Sequence, residues 1–316
     1  MTMMRADLHV HTLHSKRSGT MRFLRSRDCY SRPLDVYRCA KSRGMDLVAI
    51  TDHDSIDGAL ELAGTLTNPV DVIVGEEVSC WLGDIEVHLG VYGMTERLHR
   101  DIQPLRRNAL DVIACLRSAG VFFSLNHLLH FYRGQTPLSE YLGLIDEVPA
   151  LEARNGAMLP SHNLLIEEIV SRRNGVGQPA LAAIGGSDAH TLRRVGRTWT
   201  EAPGRNREEF LDSLKQGLAR PGGDHGAATT VAGDAYGVIR LFLASLIGLG
   251  PRDHAGWHRA GCLAFSGVSL PFQFLPMAIA MAGKRMEAQK VRSVTAALNA
   301  AGTHAPRRAV QAEGTP

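Results

Sequence analysis

At 316 residues, 44% hydrophobic and 21% charged, the chain has an ordinary globular composition, long enough for one large α/β domain with an extension or for two modest domains. A formal net charge of +3 is too small to argue for nucleic acid by itself. Five scattered cysteines without a C-x-x-C pair argue against a disulfide framework or a zinc knuckle, and residues 1–7 lack the apolar stretch of a secretory signal, so a cytosolic location is expected.

Apolar runs alternate with helical stretches along the chain. Residues 5–10 read as a first strand that ends on His9-Val10-His11. Residues 33–43 read as a helix closed by Gly44, 46–50 as a buried strand, 57–66 as a helix and 70–74 as a strand. Residues 85–92 read as a strand paired antiparallel with its predecessor, and 101–119 as one long amphipathic helix closed by Gly120. Strands are expected at 121–125, 150–154 and 181–185. Helices are expected at 162–173 and at 207–217, the latter capped by Asn206. Strands alternating with helices imply βαβ units, and about seven of them favour a closed or partly closed barrel, of the distorted (β/α)7 type.

The composition shifts after Pro221-Gly222-Gly223, which places a boundary between a barrel at 1–220 and a mostly helical extension at 221–316, with 301–316 disordered. Residues 236–250 and 266–283 are apolar. Arg240 interrupts the first, and Pro271, Gln273 and Pro276 the second, so both are expected to pack on a neighbour rather than cross a membrane. Between Arg5 and Arg43 the basic residues Lys16, Arg17, Arg22, Arg25, Arg27, Arg32, Arg38 and Lys41 face few acids, a block that attracts phosphate groups.

The chemistry gathers at the strand ends. His9 and His11 stand two apart, and residues i and i+2 of a strand share a face, so two imidazoles can grip one cation. Thr51-Asp52-His53-Asp54, Gly75-Glu76-Glu77-Val78-Ser79 and Gly186-Ser187-Asp188-Ala189-His190 each follow an apolar run. His88 and His127 join them. Histidine with carboxylate is the ligand set of zinc, manganese or iron. Eight such groups exceed the needs of one ion and suit two or three, which together clamp a phosphoryl group.

These motifs resemble, in order and spacing, those of the PHP family, the polymerase and histidinol phosphatase superfamily, over roughly residues 5–220. The resemblance implies a distorted βα barrel with up to three divalent cations and phosphoester hydrolysis. By position, His9, His11, Glu77 and Asp188 would hold a first metal, Glu77, His88 and His127 a second, and His53 and His190 a third. The acid that often completes the third site falls where this chain reads Ser15-Lys16. His14 is a nearby substitute, and Lys16 an electrostatic stand-in that would meet the substrate. Arg154 and Arg197 are further phosphate-binding candidates. Asp7, Asp52 and Asp54 are expected to orient the histidines beside them, and Glu76 to face away from the site. The remaining histidines, among them His99, His130, His162, His225, His254 and His258, stay unassigned.

The motif order is most similar to small stand-alone phosphoesterases, including those that act on nucleotides and oligonucleotides. The expected activity is hydrolysis of phosphomonoesters or short phosphodiesters by a metal-bridged hydroxide, with His53, His190 and Asp188 as catalytic groups. A histidinol-phosphate-type phosphatase and a non-catalytic metal-binding regulatory module are the alternatives. The expected partner is a small phosphorylated substrate such as a nucleotide or short RNA, with no membrane and no obligate protein partner.

Overall fold

The computed structural model describes residues 2–16, 22–134, 136–175, 180–251 and 253–300. In chain order its elements are β1 (Met3–Asp7), a 3-10 turn (Arg22–Leu24), α1 (Pro33–Ser42), β2 (Leu47–Ile50), α2 (Asp57–Thr65), β3 (Val72–Leu82), β4 (Ile85–Tyr92), α3 (Glu96–Ile102), α4 (Ala109–Ser118), β5 (Phe122–Leu125), α5 (Leu138–Leu142), β6 (Ala150–Asn155), α6 (Pro160–Asn174), β7 (Ala182–Gly186), β8 (Thr198–Pro203), α7 (Arg207–Lys215), β9 (Arg220–Gly223), α8 (Ala228–Leu246), α9 (Gly256–Val268) and α10 (Leu275–Ala300).

The strands form one sheet in the order β7-β6-β5-β4-β3-β2-β1-β8-β9. Pairing is parallel from β1 to β3 and from β5 to β7, and antiparallel across β3–β4–β5 and β1–β8–β9. The sheet curls until β7 meets β1 and β8. At one end of that seam Val10 bridges Ala189, and the His11 N–H donates to the Ala189 carbonyl at 3.1 Å. At the other, the Thr200 hydroxyl of β8 donates to the Gly185 carbonyl and accepts from the Gly185 N–H, each at 2.8 Å. The barrel is therefore nearly closed, with side-chain bonds where a continuous ladder would run. All four residues of β2 are buried, as expected for a strand covered on both faces. The core of β3 to β6 and α4 takes in Val291 and Val294, so α10 packs against the same side of the barrel.

Several boundaries depart from the sequence expectation. β1 stops at Asp7, because beyond it the main chain bonds to Thr51 and Ala189 rather than along a regular ladder. β3 runs eleven residues, to Leu82, since β4 pairs with it along its length. The long helix expected at 101–119 is broken. α3 ends at Ile102, Pro104 sits in a 3-10 turn, and the Asn108 side chain caps a fresh helix by accepting from the Leu110 N–H at 3.0 Å. β8 and β9 have no counterpart in the sequence reading. The tail expected to be disordered lies outside the described residues.

Among the described residues no single helix is long and apolar enough to cross a membrane, although α9 and the following helix, bent by 57°, meet that test as a pair. Their apolar residues do not all pack inward, since Val268, Phe274 and Ile279 are exposed.

Candidate metal centre

Past the end of β1, the His9 and His11 rings are buried with centroids 5.1 Å apart. Asp7 fixes this stretch. One carboxylate oxygen accepts from the His9 N–H at 3.3 Å and the Ser187 N–H at 2.8 Å, and the other from the Gly196 N–H at 2.7 Å. It thereby ties the opening histidines to the segment that presents Asp188 and His190. Burial pushes the Asp7 carboxyl up to about 6 despite these bonds. Asp52 has a similar structural task, accepting from the Thr12 hydroxyl at 2.6 Å. Asp54 pairs with Arg106 and accepts from the Ser79 N–H at 2.9 Å. Among the described residues neither bonds the His53 ring; both hold the main chain around it.

Glu77 occupies the centre and is fully buried. Its Oε2 lies 3.0 Å from His53 Nδ1, 3.1 Å from His9 Nε2 and 3.5 Å from His11 Nε2. Its Oε1 lies 3.0 Å from His127 Nε2 and 3.1 Å from His88 Nδ1. One carboxylate therefore stands between two sets of imidazoles. Glu76, next along β3, points the other way and meets His99 at 2.7 Å. Asp188 Oδ1 lies 3.4 Å from His11 Nε2 and 3.6 Å from His9 Nε2, and its Oδ2 accepts from Asn155 at 3.2 Å. His127 and Asp188 have φ of 28° and 51°, left-handed backbone that costs roughly 1–3 kcal/mol per side-chain-bearing residue and clusters at functional sites.

A second acid closes the cluster where the sequence reading found none. Asp28 Oδ2 lies 2.7 Å from His190 Nε2 and 3.6 Å from His53 Nε2. His11, Asp28, His53 and His190 each offer a ligand atom within 4.8 Å of the others. The acid expected near Ser15-Lys16 is thus supplied by Asp28. His14 turns to Glu61, 2.7 Å away, and does not substitute. Ser15 keeps a supporting role, as its hydroxyl meets His11 Nδ1 at 3.0 Å and accepts from the His53 N–H at 3.1 Å.

Glu152 was also missed. One of its oxygens meets His9 Nδ1 at 2.8 Å, and the other accepts from the His127 N–H at 2.9 Å. A proton held between His9 Nδ1 and Glu152 leaves the Nε2 lone pair aimed at the cluster. A buried glutamate in mid-strand is the signal that could have flagged it, because unpaired acids are seldom fully buried. Asp28 carries no comparable signal, since no motif frames it.

The donor set fits divalent cations. His9 Nε2, His11 Nε2, His53 Nδ1, Glu77 Oε2 and Asp28 Oδ2 are buried without hydrogen-bond partners, although several lie within 3.6 Å of each other. Atoms that close without hydrogen-bond geometry are what ligands about 2.0–2.2 Å from a shared cation look like. Charge agrees. Against the upward push of burial, His9, His53 and His88 hold Glu77 well below the usual carboxylate range. Against the downward pull of burial, Glu77 lifts His88 to about 9 and Asp28 lifts His190 to about 10. Burial, with His190 and His53 alongside, presses His11 down to about 3.

The cluster opens into a cavity of about 640 Å³. His53, His88, His127, Asp188 and His190 line it. Ile279, Ala280, Met286, Val291, Lys284 and Lys290 of α10 line it as well. His130 and His162, unassigned from sequence, also face it. The phosphate-binding candidates Lys16, Arg154 and Arg197 are not among the lining residues. Arg154 is engaged with Glu167 at 2.7 Å. Lys16 is exposed, and its main-chain N–H donates to the His53 carbonyl at 3.2 Å. Arg197 is exposed, and its carbonyl accepts from the Asp224 N–H at 2.8 Å.

Fold and cluster together define a barrel protein with a cluster of buried histidines and carboxylates, suited to divalent cations, at its strand ends. Residues 176–218 match the family model described as PHP-associated. An uncharacterized protein of Methanocaldococcus jannaschii is 34% identical over 104 residues, 32% of this chain and 57% of that protein, so the match spans little more than half the relative's length. Among solved structures, a two-domain Bacteroides vulgatus protein containing a predicted PHP-like metal-dependent phosphoesterase is 18% identical, with a TM-score of 0.49, over 77% of this chain and 69% of its own. PsfC of Pseudomonas syringae is 20% identical with a TM-score of 0.49 over 77% and 99%. The lesion-specific endonuclease PfuEndoQ of Pyrococcus furiosus is 19% identical with a TM-score of 0.46 over 70% and 58%.

Proposed function

We propose that the protein is a metal-dependent phosphoesterase that hydrolyses phosphomonoesters or short phosphodiesters, with nucleotides or short oligonucleotides as its substrates. The observation that carries this reading is the position of Glu77, with one carboxylate oxygen facing His9, His11 and His53 and the other facing His88 and His127.

His9, His11, Glu77 and Asp188 would hold one cation, Glu77, His88 and His127 a second, and Asp28, His53 and His190 a third. Divalent cations bound there would activate water and neutralise charge on the phosphoryl oxygens. The chain's own contribution is to hold the donors. Glu152 sets the His9 ring, Ser15 sets His11, Asn155 steadies Asp188, and the seam between β1 and β7 brings the first and last ligands together. With the third site empty, His190, paired with Asp28 and facing the cavity, would carry the proton that a departing alkoxide takes up.

The cavity supports the substrate class. Its histidines and lysines suit a phosphate, and its apolar residues from α10 suit the flat face of a base or another apolar leaving group. The test is a panel of nucleoside 3′,5′-bisphosphates, short 5′-phosphorylated RNA, histidinol phosphate and p-nitrophenyl phosphate, run with Mn²⁺ and with Zn²⁺. The expected result is turnover of the nucleotide substrates with kcat/KM at least 10-fold above that for histidinol phosphate. Bound metal without turnover of any phosphoester would overturn the enzymatic reading in favour of a metal-binding module.

A further inference from the structure

Two of the unassigned histidines meet a cysteine outside the catalytic cluster. His254 precedes α9, and His258 and Cys262 lie within it, four residues apart and so on one helix face. His254 and Cys262 are buried, at 8% and 3% exposure. His254 Nε2 lies 2.8 Å from the Leu24 carbonyl oxygen, and His258 Nε2 lies 2.9 Å from that of Phe23. A carbonyl only accepts, so each ring donates from Nε2, and a neutral imidazole that does so carries its lone pair on Nδ1. The rings stack with centroids 5.1 Å apart and planes 9° apart. His254 Nδ1 is buried and has no hydrogen-bond partner. Cys262 Sγ lies 3.9 Å from His258 Nδ1, and one ligand atom from each of the three residues falls within 4.8 Å of the others. Zinc bonds of about 2.3 Å to sulfur and 2.0–2.1 Å to nitrogen, at tetrahedral angles, separate sulfur from nitrogen by about 3.6 Å.

We propose that His254 Nδ1, His258 Nδ1 and Cys262 Sγ form a second metal site, structural in role and selective for a thiophilic cation of the Zn²⁺ kind. One thiolate with two imidazoles favours Zn²⁺ over Mn²⁺ or Mg²⁺. Binding replaces the S–H bond by a sulfur–metal bond, the thiol proton leaves to solvent, nothing is oxidised or reduced, and water completes the tetrahedron. The site staples α9 to Phe23 and Leu24, whose segment leads directly to Asp28. A neighbouring pair works in the same sense, as Arg27 binds both carboxylate oxygens of Asp253, at 2.5 and 2.7 Å. The cation would therefore anchor, from the helical side, the segment that delivers an acid to the catalytic centre. The proposal does not depend on the phosphoesterase reading.

The probe is Co²⁺, titrated into the full chain after removal of metal. No ligand group of the catalytic cluster among the described residues contains cysteine, so a thiolate-to-cobalt charge-transfer absorption reports this site alone. The band is expected in the wild type and in Asp188→Asn, and is expected to vanish in Cys262→Ser, whose zinc content falls by one equivalent. His258→Ala keeps the thiol at a less buried position and is expected to weaken Co²⁺ binding at this band at least 10-fold. A wild type without the band, a band that survives Cys262→Ser, or unchanged affinity in His258→Ala overturns the proposal. The wild-type spectrum decides even where a variant fails to fold.

Discussion

Asp28 Oδ2 stands 2.7 Å from His190 Nε2, contributed by a segment well beyond Lys16, where the motif pattern placed an acid. A carboxylate there completes a donor set with His11 and His53. Asp28→Asn keeps the shape and removes the charge. It is expected to lower affinity for one cation by about 10- to 100-fold while the others stay bound, which metal analysis after graded chelation would show. Lys16→Ala should leave the cation count as it is. Loss of no cation in Asp28→Asn would remove the third site from the scheme.

Glu152 acts on the cluster through His9 and the His127 main chain. Glu152→Gln still accepts a hydrogen bond but no longer favours the proton on Nδ1 of His9. The expected effect is about 10- to 100-fold weaker metal binding in a folded protein, with activity recovered at high metal concentration. Metal titrations followed by kcat at saturation separate this from a catalytic defect.

The strand-end histidines and acids were legible because each rides in a short frame after an apolar run, and a parallel barrel gathers such ends on one rim. His9, His11, Glu77, Asp188 and their companions meet as that argument requires. Asp28 was not legible. Its place depends on the path of an irregular segment held by Arg27, Asp253 and the C-terminal helices, and no periodicity encodes that path. The partner of Arg154 was not legible either, since Glu167 on α6 meets its guanidinium from a helix sequence that looks unremarkable. The split of the 101–119 helix was written in Pro104 and Asn108, a breaker followed by a cap, which the amphipathic pattern masked. β8 and β9 are short and rich in Thr, Pro and Gly; β8 pairs antiparallel with the edge of β1, and β9 in turn with β8.

Gly186 touches the opening motif. A Cβ there would lie 2.3 Å from His9 Cβ and 2.7 Å from its main-chain nitrogen, and neither atom is a flexible end that can yield. Gly186→Ala is expected to cost about 1–3 kcal/mol of stability or more and to weaken metal binding by displacing His9. Denaturant midpoints with and without metal measure both. An unchanged midpoint together with unchanged metal affinity would mean that β7 and His9 are not packed as described.

The metal-free protein should respond to pH in a definite sense. Beside Glu77 and Asp28, His88 is pushed up to about 9 and His190 to about 10, above the ordinary imidazole value of 6.5. A raised folded-state value means stability that is fully present below 6.5 and is lost as pH climbs through 9 to 10. Metal-free protein is therefore expected to lose stability from pH 7 to pH 10. Metal displaces these protons, so binding near pH 7.5 should release at least two, and affinity should rise by up to about 100-fold per pH unit. Calorimetry in buffers of different ionisation enthalpy counts the protons. Release of none would contradict the charge assignment.

The most direct test is Glu77→Gln, assayed together for cation content and p-nitrophenyl phosphate turnover after reconstitution. The wild type is expected to hold two or more equivalents of divalent metal and to turn over. The variant, with its shape kept and its bridging charge gone, is expected to hold at least one equivalent fewer and to be inactive. A variant that binds the same number of cations and hydrolyses at the wild-type rate would contradict the account at its centre.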